Sequence, residues 1–124
     1  MTAYEEIVVR VTTSGSAGAA GGNAESPPIA GEIVAVHLNY DASAPATTTV
    51  DVDEVDGPAR KVLDKAASTT DVTHYPRVQM QDNTGTPVAG VYERFVLGGR
   101  KLKVTVALSN ALTDAVVATI IIKR

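Results

Sequence analysis

The chain has 124 residues, no cysteine and a formal net charge of −3, with 44% apolar, 20% charged and 4% aromatic side chains. That length suits a single domain able to bury a core without staples, and the absent cysteine excludes disulfides, thiolate metal sites and a cysteine nucleophile. The acidic balance leaves no basic footprint for nucleic acid, and so few aromatics argue against stacking platforms for bases or sugars.

Val, Ile and Thr make up 38 of the 124 residues, while Leu occurs six times. β-Branched side chains are stiff at χ1 and suit a pleated, half-buried surface, so the chain reads as all-β. Residues 4–13 form the first predicted strand, with Ile7, Val9 and Val11 alternating against Val8 and Arg10. Then comes Ser14-Gly-Ser-Ala-Gly-Ala-Ala-Gly-Gly-Asn-Ala-Glu-Ser26, closed by Pro27-Pro28. This composition reads as a flexible tether with little to bury. It divides the chain into an N-terminal strand and arm over 1–30 and a β-sandwich domain over 31–124.

Residues 32–40 alternate next, with Val34, Val36, Leu38 and Tyr40 set against Ile33, Ala35, His37 and Asn39. A strand over 47–55 places Val50 and Val52 inward and Asp51 and Asp53 outward. After Gly57-Pro58, residues 59–67 are the one stretch compatible with a helical turn or two. Strands follow over 71–81 and 88–97, separated by the turn Asp82-Asn-Thr-Gly85. Gly98-Gly99 reads as a tight hairpin turn before the regular alternation of 101–109, and residues 115–123 are apolar on both faces. Seven strands at this spacing predict an antiparallel β-sandwich or jelly-roll-like barrel, its first strand on a flexible arm. The two-sided last strand is expected to be central, or buried against another subunit.

No segment reads as a membrane span, since residues 115–122 fall far short of the roughly 20 residues a bilayer needs. Glu5 and Glu6 stand where a signal peptide would carry cations, so synthesis in a cytoplasm is expected.

Candidates for chemistry are thin. His37 and His74 have no second histidine or cysteine at ligand spacing. The run Asp51-Val-Asp-Glu-Val-Asp-Gly57 fails the EF-hand pattern, because its fifth position is Val55 and its twelfth is Val62. An acidic strand face is the simpler account, with a looser calcium site near 51–56 as the alternative. Gly98-Gly-Arg-Lys-Leu-Lys103 lacks phosphate-loop spacing and opens a strand. With Arg94 it makes a positive cluster opposite in charge to the acidic 51–56 run; in a repeating assembly such patches can meet across subunits, but the simpler account is that they are isolated surface features. No catalytic, cofactor or metal residue is assigned, and no enzyme activity is expected.

Residues 31–124 resemble small virion structural proteins of tailed bacteriophages. The resemblance is carried by Gly31-Glu-Ile-Val-Ala-Val-His-Leu-Asn-Tyr40, by Thr70-Asp71 followed by Tyr75-Pro76-Arg77, by the turn at Gly85, by Val91-Tyr-Glu-Arg-Phe-Val-Leu97 and Gly98-Gly99, and by the apolar last strand. It departs from the pattern at His74, where a second aromatic is expected. The resemblance implies a capsid decoration (cement) protein on the capsid surface of the virion, clustered as a trimer on the major capsid protein and stabilising the head. It implies no catalytic residue, no cofactor, no nucleic acid and no membrane. The tethered first strand is expected to reach a neighbouring edge, with Ile7, Val9 and Val11 filling the seam. Tyr75, Arg77 and Arg94 are the other candidate interface residues. On that expectation, deleting residues 1–28 leaves a folded domain that no longer holds particles. The alternatives are a tail, head-spike or adaptor subunit, and a carbohydrate-binding β-sandwich using Tyr75 or Tyr92.

Overall fold

Period-two alternation sets which side chains meet between the layers. The computed structural model describes residues 3–124, and every regular element among them is a strand. In chain order these are β1 (Tyr4–Val11), β2 (Ala20–Glu25), β3 (Ile29–Tyr40), β4 (Thr49–Glu54), β5 (Lys61–Lys65), β6 (Val72–His74), β7 (Val78–Gln81), β8 (Pro87–Glu93), β9 (Val96–Arg100), β10 (Leu102–Ser109) and β11 (Val116–Lys123). The first sheet runs β1-β11-β3-β6, with β9 also on β3; the second runs β2-β10-β4-β5; β7 and β8 form a separate ribbon. The result is the antiparallel β-sandwich that the alternation predicts, built from eleven strands instead of seven.

One core joins the two sheets. Ile7, Val9 and Val11 of β1, Val36 and Leu38 of β3, and Ile120 and Ile122 of β11 meet Val50 and Val52 of β4 and Leu102, Val104 and Val106 of β10. β11 lies between β1 and β3, so its inward residues are fully buried and its outward ones half-buried. Its two-sided apolar character reflects that central position within its own sheet.

The expected arm is part of the sandwich. β1 pairs with β11 of its own chain along its whole length, from Tyr4 opposite Lys123 to Val11 opposite Val116. Ile7, Val9 and Val11 therefore fill their own core and not a partner's seam. The glycine-rich stretch supplies β2, the margin of the second sheet, with Val104 opposite Ala24 and Val106 opposite Gly22. The reason is close packing, not freedom: a Cβ on Gly22 would collide with the backbone oxygen of Thr12. The turn between β1 and β2 is tied down by Asn110, whose Oδ1 accepts from Gly18 N–H at 3.0 Å. The division at residue 30 thus falls inside one folded unit; Met1 and Thr2 lie outside the described residues.

Two other expectations change. Residues 61–65 form β5 against β4 and no helix: Val62, at the register shift between the two strands, is buried beside the core while Lys61 and Asp64 face out. Gly98-Gly99 is not a hairpin: both residues lie within β9, and the chain passes from the first sheet to the second at Lys101. The basic and acidic runs also meet within one chain, where Lys103 stands opposite Asp53 and Leu102 opposite Glu54.

β6 and β9 are two halves of one interrupted edge. β6 pairs with residues 36–38 of β3, and β9 pairs with residues 29–32. Residues 75–95 leave the sheet between them, at a point where β3 carries its own register shift against β11. The ribbon made by β7 and β8 is this excursion.

Candidate functional site: the projecting ribbon

Local chemistry explains each turn of the ribbon. Pro76 follows β6 and has no N–H to continue its ladder, so the chain turns out of the sheet there. At the tip, Asp82 Oδ1 accepts from the N–H groups of Thr84 (2.8 Å) and Thr86 (3.0 Å) and from the Thr84 hydroxyl (2.7 Å). These donors hold the Asp82 carboxyl below the usual carboxylate range. Gly85 closes the turn with φ at 85°, as its residue type predicts.

The two strands do not run in step. Val78 faces Glu93 and Gln79 faces Tyr92, but Gln81 faces Pro87, so Met80 alone stands against residues 88–91. β8 bulges there around Gly90, and the Gln79 side-chain amide bridges to the Val88 carbonyl at 3.3 Å.

Every residue of β8 is exposed. Tyr75 (64%), Val88 (38%), Val91 (42%), Tyr92 (55%) and Val96 (59%) are five of the eight large exposed hydrophobics among the described residues. An isolated two-stranded ribbon is marginal in water, and an uncharged apolar edge is a template for association. Residues 87–92 contain no charge at all.

Its base is fastened to both sheets. Phe95 is buried in the core, and Ile33 N–H donates to its carbonyl at 2.9 Å. The Arg60 guanidinium lies over the Phe95 ring at 5.5 Å and donates through Nη2 to the Val96 carbonyl at 2.8 Å. Its other partner is Glu54, reached by Nε at 2.6 Å, Nη2 at 3.0 Å and the Arg60 backbone N–H at 3.0 Å. The Glu54 side chain is only 1% exposed. Arg60 holds its carboxyl below the usual range, and Glu54 in turn raises the Arg60 guanidinium.

Of the candidate interface residues, the structure brings Tyr75, Arg77 and Arg94 to the segments where the ribbon leaves and rejoins the sheet. Arg77 Nη1 donates to the carbonyls of Pro76 at 2.8 Å and Val34 at 3.3 Å. Arg94 pairs with Glu32 at 3.7 Å. Sequence reasoning missed Glu54 and Arg60, although a signal was present. With Val50 and Val52 inward, alternation puts Glu54 inward too, and an inward carboxylate requires a cation.

The remaining candidates are dispersed. Asp51 faces Asp64 across β4 and β5, where burial and the hydrogen bond to Asp64 raise its carboxyl, while Lys61 Nζ reaches Asp53 at 3.3 Å. Among the described residues no three acidic or histidine side chains are grouped to hold a metal ion. His37 Nδ1 meets the Thr73 hydroxyl at 2.7 Å. His74 Nε2 is buried without a partner, and burial, then Lys65, lowers its imidazole. A shallow cavity of about 270 Å³ mixes Glu25 and Asp56 with Arg100 and Lys101, an arrangement with no coupled acid and base.

No protein-family model matches the chain, and no curated protein matches it. Among solved structures it is similar to the enzymatically active domain of tailspike protein 4 of bacteriophage CBA120, with a TM-score of 0.40 and 8% identity. That match covers 98% of this chain and 19% of the other, so the chain spans under a fifth of the tailspike chain's length. It is also similar to the carbohydrate-binding module TmCBM61, solved in complex with β-1,4-galactotriose, with a TM-score of 0.37, 9% identity and coverage of 100% and 86%. Both likenesses are weak, and neither assigns a role to a residue of this chain.

Proposed function

We propose that this chain is a non-enzymatic structural subunit of a bacteriophage particle, a capsid decoration protein that assembles as a trimer on the major capsid protein and stabilises the head. The observation that carries the reading is the projecting ribbon, exposed along the whole of β8 and free of charge over residues 87–92. A sandwich with such an appendage is suited to assembly. The most particular part of the phage resemblance also falls here: Asp71 Oδ1 accepts from Tyr40 N–H at 2.8 Å beside β6, and Tyr75-Pro76-Arg77 opens the ribbon. Cement proteins act by summing modest contacts over a symmetric lattice, so many weak seats hold strongly. A second reading, saccharide binding, is favoured by one arrangement only, the exposed Tyr92 ring paired across strands with the Gln79 amide.

Co-sedimentation of the purified chain with undecorated phage heads, followed by cryo-microscopy, tests the proposal. The expected result is density at regular lattice sites and heads that withstand higher temperature. Bare heads at saturating protein overturn it. Retention on a glycan array that is lost in Tyr92→Ala establishes the second reading instead.

A further inference from the structure

The margins of the two sheets are not alike. β5 takes a register shift against β4 and sets Lys61, Asp64 and Lys65 along its five residues. β2 is shifted against β10 and runs into Pro27-Pro28. The outer edge of β3 is divided between β6 and β9 by the ribbon. Shifts, lysines, prolines and interruptions of this kind stop a foreign strand from pairing at an edge. β1 carries no shift, proline or lysine, and its eight residues run in unbroken register with β11.

The main-chain groups that β1 leaves free follow from its ladder. Arg124 N–H donates to the Ala3 carbonyl at 2.9 Å, so in this register residues 5, 7, 9 and 11 also bond to β11. The N–H and C=O groups of Tyr4, Glu6, Val8 and Arg10 therefore point off the sheet. The side chains of the same four residues share its outer face, since both alternations have a period of two. Val8 stands midway between Glu6 and Arg10. Glu6 has no cation partner among the described residues, and Arg10 holds Asp114 through Nη1 at 3.3 Å with its side chain 62% exposed. Glu5 is engaged by Arg124, and Lys123 stands one strand back from the margin, opposite Tyr4.

We propose that two copies join β1 to β1 about a two-fold axis at Val8, fusing their first sheets into one. Antiparallel pairing in that register sets Val8 opposite Val8 of the second copy, and Glu6 and Arg10 of each copy opposite Arg10 and Glu6 of the other. On the inner face Ile7 meets Val9 and extends the apolar row. The free main-chain groups then face each other, and the unpaired acid meets a base on both sides of the axis. Registers centred on Glu6 or Arg10 set like charges opposite, which is destabilising. A guanidinium has five donors, so Arg10 keeps Asp114 while it reaches Glu6. The contact is isologous, with the same strand on both copies, and β1 stays in its own sheet. It does not rest on the capsid reading: a two-fold contact cannot close a trimer, and on a head it joins copies of neighbouring trimers.

Sedimentation equilibrium of the full chain tests the contact, and disulfide capture locates it. Free in solution the chain is expected as a dimer. It has no cysteine, so one introduced thiol reports on one position. Cα atoms across a hydrogen-bonded pair lie about 5.5 Å apart, within the roughly 4.4–6.8 Å that a disulfide spans. Val8→Cys is expected to give a covalent dimer under mild oxidation at least about tenfold faster than Ser43→Cys, a thiol in the exposed turn after β3. Glu6→Arg and Arg10→Glu are each expected to weaken self-association about tenfold. An equimolar mixture of the two is expected to dimerise as wild type does, because every facing pair is again of opposite sign. Both positions are exposed, so near-ultraviolet circular dichroism stays native. A monomeric wild type, Val8→Cys no faster than Ser43→Cys, or a mixture no better than its components overturns the proposal. A trimer in which Val8→Cys does not cross-link overturns this contact and leaves the capsid reading standing.

Discussion

Glu54 is an ionised group on the inner side of a strand, where a carboxylate is costly unless paired and hydrogen-bonded. Arg60 supplies two guanidinium contacts and its own backbone N–H, then uses its remaining reach on Phe95 and the Val96 carbonyl. One arginine thus neutralises the acid and pins the ribbon's return to the sheet. Arg60→Ala is expected to cost about 2–3 kcal/mol in urea unfolding, because it strands a buried charge. Arg60→Lys should recover only part, since an ammonium lacks the planar fork. The pH dependence has a definite sign. The folded-state pKa of Glu54 lies below its ordinary 4.5, so the unfolded chain takes up the proton first as acid is added. The stabilisation is present above 4.5 and disappears as pH falls through the folded-state value. The difference in urea midpoint between wild type and Glu54→Gln should therefore narrow on acidification, and a difference unchanged from neutral pH to strong acid would contradict the account.

The glycine-rich segment shows how composition can point to the wrong element. Gly, Ala and Ser over 14–26 are the residues of a flexible tether, and they are equally those that let an edge strand approach another backbone closely. Gly22 decides between these, because its missing Cβ is where Thr12 passes. Gly22→Ala is expected to lower stability by about 2 kcal/mol, the scale of overpacking against an unyielding backbone. Gly98→Ala, whose Cβ would meet nothing within 4 Å, should stay within about 0.5 kcal/mol. Equal urea midpoints for the two variants would return the segment to the tether reading. Residues 59–67 pose the same problem in milder form. Lys, Leu and Ala favour a helix locally, but Val62 has a place beside the core only if the chain stays extended along β4, and tertiary burial outweighs local propensity.

In the whole molecule, first and last strands hold each other, since β1 runs antiparallel to β11 and leaves the sheet no free central strand. Deleting residues 1–28 removes the margins of both sheets and takes Ile7, Val9, Val11 and Ala20 from the core. The truncated chain is therefore expected to lose its cooperative thermal transition and its near-ultraviolet dichroism. A sigmoidal transition close to that of the full chain would show that the sandwich stands without its first two strands.

β-Branched content and regular strand spacing determined that the chain is all-β and closes into two layers. Alternation along β4 and β10 determined which of their side chains face inward, because a period of two is a local property of the strand; in β3 the register shift against β11 buries Ile33, Ala35 and Val36 together. The Asp82–Gly85 turn and the contact candidates Tyr75, Arg77 and Arg94 were also legible as residue types. Which edge each strand joins was decided only by the tertiary structure. β1 on β11, β2 on β10, and one edge of β3 shared by β6 and β9 are pairings between residues far apart in the chain. Those choices turned a supposed arm into core and drove residues 75–95 outward as a ribbon. Arg60 reaches Glu54 by a shorter route, across the connection between β4 and β5 and six residues along the chain, but its further contacts with Phe95 and Val96 depend on where the ribbon rejoins the sheet.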